Sequence, residues 1–199
     1  MTNLDLVSRR AVLAPRMRRT ALLVVLLGVG LAGCFSVDGT LQSDGSGRFR
    51  LTYFLKRHAT FADETRRLTS DHVKVDSVRG IGNLQAIAEI RFDDVTKLAS
   101  AEAFRNVDVT RARDGGAEWL RLVVRNPYDA SLREALAKGA REKPEVEGPR
   151  VTLALPGPVL EANRDAQVDG TQVTWRVPLV DYAQADQLEF TVRYALPAR

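Results

Sequence analysis

The stretch DGSGRFRLTYFL, residues 44 to 55, decides how the rest of the chain is read. From Arg48 onward polar and apolar residues alternate, which places Phe49, Leu51, Tyr53 and Leu55 on one face of an extended segment. A period of two marks a half-buried strand, because successive side chains point to opposite faces. Asp44-Gly45 just ahead of it is a hairpin signal, since both residue types tolerate positive φ. It predicts that residues 35–42 pair with residues 48–55.

The same alternation recurs along the chain. Leu84, Ala86, Ala88, Ile90 and Phe92 share a face, and Leu120, Leu122 and Val124 alternate with Trp119, Arg121 and Val123. Val173, Trp175 and Val177 alternate with Thr174 and Arg176, and Leu188, Phe190, Val192 and Tyr194 with Glu189, Thr191 and Arg193. One apolar and one polar face per strand is the pattern of an antiparallel sheet. Asp114-Gly115 and Asp169-Gly170 mark two further turns, the latter closing a hairpin of residues 166–168 with 171–177.

Helical signals are fewer. Thr60 ahead of Asp63 and Glu64 reads as a capped start, with Phe61, Thr65 and Leu68 on one face. Ser131 and Glu134 have capping-box spacing, Leu132 and Leu136 share a face, and Gly139 predicts a stop. A weaker helical stretch runs from Asp94 to about Arg105. The expected class is α+β, a mainly antiparallel sheet built from hairpins with two or three helices packed on one face. Residues 141–149, REKPEVEGP, form a polar connector too short to set a domain boundary.

At the other end of the chain, LLVVLLGVGLAGC (residues 22–34) follows Arg9, Arg10, Arg16, Arg18 and Arg19. A basic segment, an apolar run and then small residues is the layout of a secretory signal. The run is shorter than the roughly twenty residues a spanning helix needs. Ser8-Arg9-Arg10 partly resembles a twin-arginine export signal, but the long gap before the apolar run favours ordinary secretion. The formal net charge of +4 belongs to this leader, because residues from Phe35 onward carry 24 basic and 24 acidic side chains. A neutral domain lacks the clustered positive footprint of a nucleic-acid binder.

Leu31-Ala32-Gly33-Cys34 ends on the only cysteine of the chain and resembles a bacterial lipobox. The resemblance implies that residues 1–33 are removed and that Cys34 takes a lipid, leaving residues 34–199 as one tethered domain. Two acyl chains hold a protein stably on a membrane. Phe35, in place of an aspartate after the cysteine, favours the outer membrane if the cell has two. A lone thiol excludes an internal disulfide and a thiolate metal cluster.

No catalytic constellation is visible. His58 and His72 flank the first helix without the spacing of a metal site, and Asp63-Glu64 and Asp93-Asp94 sit where carboxylates cap helices. Gly80-Ile81-Gly82-Asn83 lacks the third glycine of a dinucleotide loop, and Asp44-Gly45-Ser46-Gly47 lacks the remaining ligands of a calcium loop. The reading is therefore no metal, no cofactor and no enzyme. Tyr53, Trp119, Trp175, Tyr182 and Tyr194 read as sheet core or as one lip of an apolar cavity.

The most distinctive segment is LPGPVLEAN, residues 155–163, followed by VDGTQVTW, residues 168–175. It resembles the signature of LppM-type lipoproteins, in which such a Pro-Gly segment leads into a hairpin with a Val-x-Trp strand. The resemblance covers most of Cys34 to about Leu196, and it implies an α+β domain likened to lipid-binding folds. Many members carry a transmembrane helix near the C-terminus. This chain stops at Pro197-Ala198-Arg199 after its last strand, so the expected anchor is Cys34 alone. The expected partners are thus the membrane through an N-terminal lipid and a lipid or glycolipid ligand. The alternative is a protein-interaction module with an envelope protein partner.

Overall fold

A computed structural model describes residues 35–55, 58–81, 85–144 and 146–197. Cys34 and the leader, Leu84, and Gly82-Asn83 lie outside the described residues. The strands are β1 (Ser36–Leu41), β2 (Gly47–Phe54), β3 (Val73–Ile81), β4 (Gln85–Phe92), β5 (Val107–Asp114) and β6 (Ala117–Arg125). They continue with β7 (Arg150–Ala154), β8 (Val159–Ala162), β9 (Gln167–Asp169), β10 (Gln172–Arg176) and β11 (Gln187–Ala195). The helices are α1 (Phe61–Leu68), α2 (Ala130–Glu142) and α3 (Leu179–Gln184), with 3-10 turns at Val95–Ser100 and Glu102–Phe104.

The α+β expectation holds, with the strands divided between two sheets. One runs β3-β4-β2-β1-β7-β10-β9 and the other β5-β6-β11-β8. All three Asp-Gly turns close hairpins, with Gly45, Gly115 and Gly170 at φ of +95°, +61° and +59°. Among the described residues one pairing is parallel, β1 with β7 (Ser36 opposite Arg150). It closes a crossover through the second sheet and α2, which no local turn could make.

The alternation reads out as burial. Phe49, Leu51 and Tyr53 of β2 are buried while Arg48 and Arg50 are exposed, and Leu188, Phe190, Val192 and Tyr194 of β11 are all buried. These two faces meet in one hydrophobic core, where the Trp175 and Phe190 rings lie 5.5 Å apart across the sheets. Each fully buried large apolar side chain contributes roughly 1.5–3 kcal/mol. The core therefore dominates the forces holding the sheets together.

The helices depart from expectation in detail. Thr60 does cap α1, its hydroxyl accepting from the Asp63 N–H at 3.1 Å in a reciprocal capping box. In α2 the cap is Asp129, which accepts from the Leu132 N–H at 2.9 Å, and not the Ser131–Glu134 pair. Gly139 sits inside α2, which runs on to Glu142. The 94–105 stretch forms two 3-10 turns, the first capped by Asp94 through the Thr96 N–H at 2.9 Å. α3 and β8 have no clear signal because each is short and shows little periodicity.

Candidate functional site

The two sheets are closed at one end and parted at the other. At the closed end β6 places Glu118 on the inner face, in register with Tyr194 of β11 and Arg113 of β5. Glu118 is 1% exposed. Its carboxylate accepts from Arg111 Nε, from Arg113 Nε at 3.2 Å and from the Tyr194 hydroxyl at 2.6 Å. Arg111 and Arg113 also donate to the Ser43 carbonyl, at 3.1 and 3.4 Å, tying this end to the β1–β2 turn. Burial pushes the Glu118 pKa up, and the hydrogen bonds from Arg111 and Tyr194 outweigh it, so the carboxyl sits below its ordinary range. Burial and the Glu118 carboxylate together raise the Tyr194 hydroxyl, which stays a donor.

Away from this clasp the inner faces separate around a cavity of about 360 Å³. Its walls are mainly apolar: Val37 and Leu51 from the large sheet, Leu122 and Val124 from the small one, with Leu153 and Phe104. Tyr53, Tyr128 and Tyr182 add aromatic surface. Burial pushes the Tyr182 hydroxyl up to about 12, and it raises Tyr53 and Tyr128 as well. None of the three ionises near neutral pH, and the lining stays uncharged over most of its area.

One wall is polar. α1 contributes Glu64, 2% exposed, whose Oε1 accepts from Arg67 Nη1 at 2.8 Å. The Tyr53 hydroxyl, on a side chain 6% exposed, faces the Glu64 carboxylate, which adds to burial in raising it. Arg105, Arg125 and Glu102 line the cavity and are also exposed, so the cavity reaches the surface along their edge.

The LPGPVLEAN segment lies elsewhere and has a structural purpose. A Cβ on Gly157 would stand 1.9 Å from the Ala195 carbonyl oxygen, so only glycine lets this segment lie against β11. Asn163 extends the β8–β11 pairing with its side chain, donating to the Glu189 carbonyl at 3.0 Å and accepting from the Thr191 N–H at 2.8 Å. Its own carbonyl accepts from the Trp175 indole N–H at 2.9 Å. The signature thus joins the small sheet to the β9–β10 hairpin of the large one.

The overall fold has a counterpart among solved proteins. The folded domain of Mycobacterium tuberculosis LppM, determined by NMR, matches with a TM-score of 0.52 at 16% sequence identity. The match covers 84% of this chain and 93% of that one. The fold is that of the LppM domain. The LppM-type resemblance read from residues 155–175 therefore holds at the level of the fold. No family model matches the chain, and no curated protein does.

Within this LppM-like fold the residues singled out in the sequence scatter. Cys34 lies outside the described residues. His72 pairs with Asp93 at 3.0 Å on the far side of the large sheet, apart from His58 beside α1. The described residues bring no three His, Cys, Asp or Glu side chains together as a metal site. Asp44 accepts from the Ser46 N–H at 2.8 Å in an ordinary turn. Of the five aromatics, Tyr53 and Tyr182 line the cavity, Trp175 and Tyr194 are core, and Trp119 packs under Arg193. Among the described residues no helix is long and apolar enough to cross a membrane.

Glu118 escaped the sequence reading, and Glu64, read there only as a carboxylate at a helix start, is buried against the cavity, although a signal existed for both. Glu64 stands three residues after Phe61 and four before Leu68, on the apolar face of its helix. Glu118 precedes Leu120, Leu122 and Val124 at the same period of two.

Proposed function

We propose that the protein is a non-catalytic lipoprotein of the cell envelope, tethered through Cys34, that holds the apolar chain of a lipid or glycolipid between its two sheets. The observation that carries this reading is the inter-sheet cavity of about 360 Å³ with its apolar walls. Its size lies within the roughly 300–1,000 Å³ of small-molecule sites. The LppM-like fold and the lipobox support the envelope setting, on the outer membrane in a cell with two. The non-catalytic reading is supported by the buried carboxylates, since Glu118 and Glu64 are each engaged by arginine and neither resembles a poised acid or base.

Native mass spectrometry of the domain without its leader tests the ligand. The expected result is co-purified lipid, with Leu122→Trp, which fills the cavity, carrying less. A domain with no bound lipid and no uptake of a fluorescent fatty amphiphile overturns the reading. The alternative, docking of an envelope protein on an apolar sheet edge, has weaker support. Leu160 and Val168, on β8 and β9, are exposed, and a few exposed apolar side chains are ordinary on a protein surface.

A further inference from the structure

The first described residue, Phe35, and the cavity share one end of the molecule. β1 starts at Ser36, and Phe35 before it is already part of the fold. The Phe35 carbonyl accepts from the Arg150 N–H at 3.1 Å, its ring packs edge-on against Tyr182 at 6.3 Å, and it lines the cavity. One residue spans at most about 3.6 Å. A lipid on Cys34 therefore leaves no flexible linker between the bilayer and the rim of the cavity.

The sheet register shows what else occupies this end. Ser36 lies opposite Thr52, and the adjacent row runs from Tyr53 through Ala86 to Gly80. Phe61 of α1 covers that row, its ring 3.1 Å from where a Cβ on Gly80 would stand. Ile81 is the next residue. Phe61 is 47% exposed and Ile81 43% exposed, two large apolar side chains held beside the tethered end. The rim adds the exposed Arg105 guanidinium, while Arg125 is paired with Asp108 and Glu102 with Arg67. At the opposite end Glu118, Arg111, Arg113 and Tyr194 clasp the inner faces together, and the hollow of about 620 Å³ beside the β1–β2 turn is lined by polar and charged residues such as Arg48, His72, Lys74 and Arg91.

We propose that the open end bearing Phe35, Phe61 and Ile81 is a membrane-docking face, seated on the bilayer so that an apolar chain passes between membrane and cavity without crossing water. The inference rests on the proposed tether at Cys34, which sets the orientation, and on the cavity as the ligand site. Phe61 and Ile81 enter the headgroup layer, where amphiphilic surfaces bind by burying apolar side chains. The closed end points away from the membrane.

The test uses the full chain, processed in a bacterial host and reconstituted into phosphatidylethanolamine–phosphatidylglycerol vesicles containing a headgroup-nitroxide lipid. Phe61→Cys, Ile81→Cys and Leu160→Cys are each labelled with bimane; Leu160 lies on β8 near the closed end. A lipidated Cys34 takes no label, so the unsubstituted chain reports separately on the tether. The expected result is an unlabelled parent chain, blue-shifted and quenched emission at 61 and 81, and unquenched emission at 160. Equal quenching at all three sites, or quenching only at 160, on an unlabelled parent overturns the docking face and leaves the tether standing. A parent chain that labels at Cys34 removes the tether, and the orientation with it. All three substitutions replace exposed side chains, and near-ultraviolet circular dichroism confirms the fold of each.

Discussion

Glu118 is, with Glu64, one of two buried carboxylates in the described fold. It is enclosed, and its three donors come from two neighbouring strands. Removing one partner of a buried ion pair costs about 3–5 kcal/mol, because the remaining charge is left uncompensated. Glu118→Ala should therefore lower the urea midpoint sharply, with Glu118→Gln less severe because it keeps the shape. The pH dependence follows from the lowered folded pKa. Stability from this group is full above the ordinary carboxylate value and is lost as pH falls through the folded one. The difference in unfolding free energy between the parent and Glu118→Gln should shrink over the acidic range below the ordinary carboxylate value. A difference that stays constant across that range contradicts the assigned clasp. Gly157→Ala, with its Cβ forced onto the Ala195 carbonyl, should cost about 1–3 kcal/mol by equilibrium unfolding.

At the scale of elements, the start of α2 separates two capping schemes that look alike in sequence. Asp129 takes the Leu132 N–H, while the Ser131 hydroxyl donates to the Asp129 carboxylate. Asp129→Ala should destabilise by about 1 kcal/mol, the usual value of a cap, and Ser131→Ala by less. Chemical denaturation of the two variants decides between the schemes; a larger loss for Ser131→Ala reverses the assignment. Sequence periodicity finds such helices but places their ends poorly, because several Ser, Thr and Asp residues near a start can each serve as the cap. The same holds for residues 94–105, where capping by Asp94 is legible and the 3-10 geometry is not.

For the whole molecule, one core spans both sheets, and the cavity interrupts it toward the end where β1 begins. Occupying that cavity stabilises the folded state by mass action. Adding a ligand amphiphile should raise the melting temperature of the parent and leave Leu122→Trp unmoved. Localisation tests the other half of the proposal: Cys34→Ser should leave the membrane fraction. A variant that still fractionates there at its processed size contradicts lipid anchoring at Cys34.

The sequence alone determined the strands with one apolar face, the three Asp-Gly hairpins, the capped start of α1 and the α+β class. Each of these depends on residues close together in the chain, where period and turn chemistry act directly. Only the tertiary structure decided that the strands divide into two sheets, that β1 pairs in parallel with β7, and that the sheets part around a cavity. Those features depend on contacts between residues far apart in the chain, which no local pattern encodes. The LPGPVLEAN segment shows the division. Its sequence marks the fold, and only the packing shows why: Gly157 admits the β11 backbone, and Asn163 ties one sheet to the other.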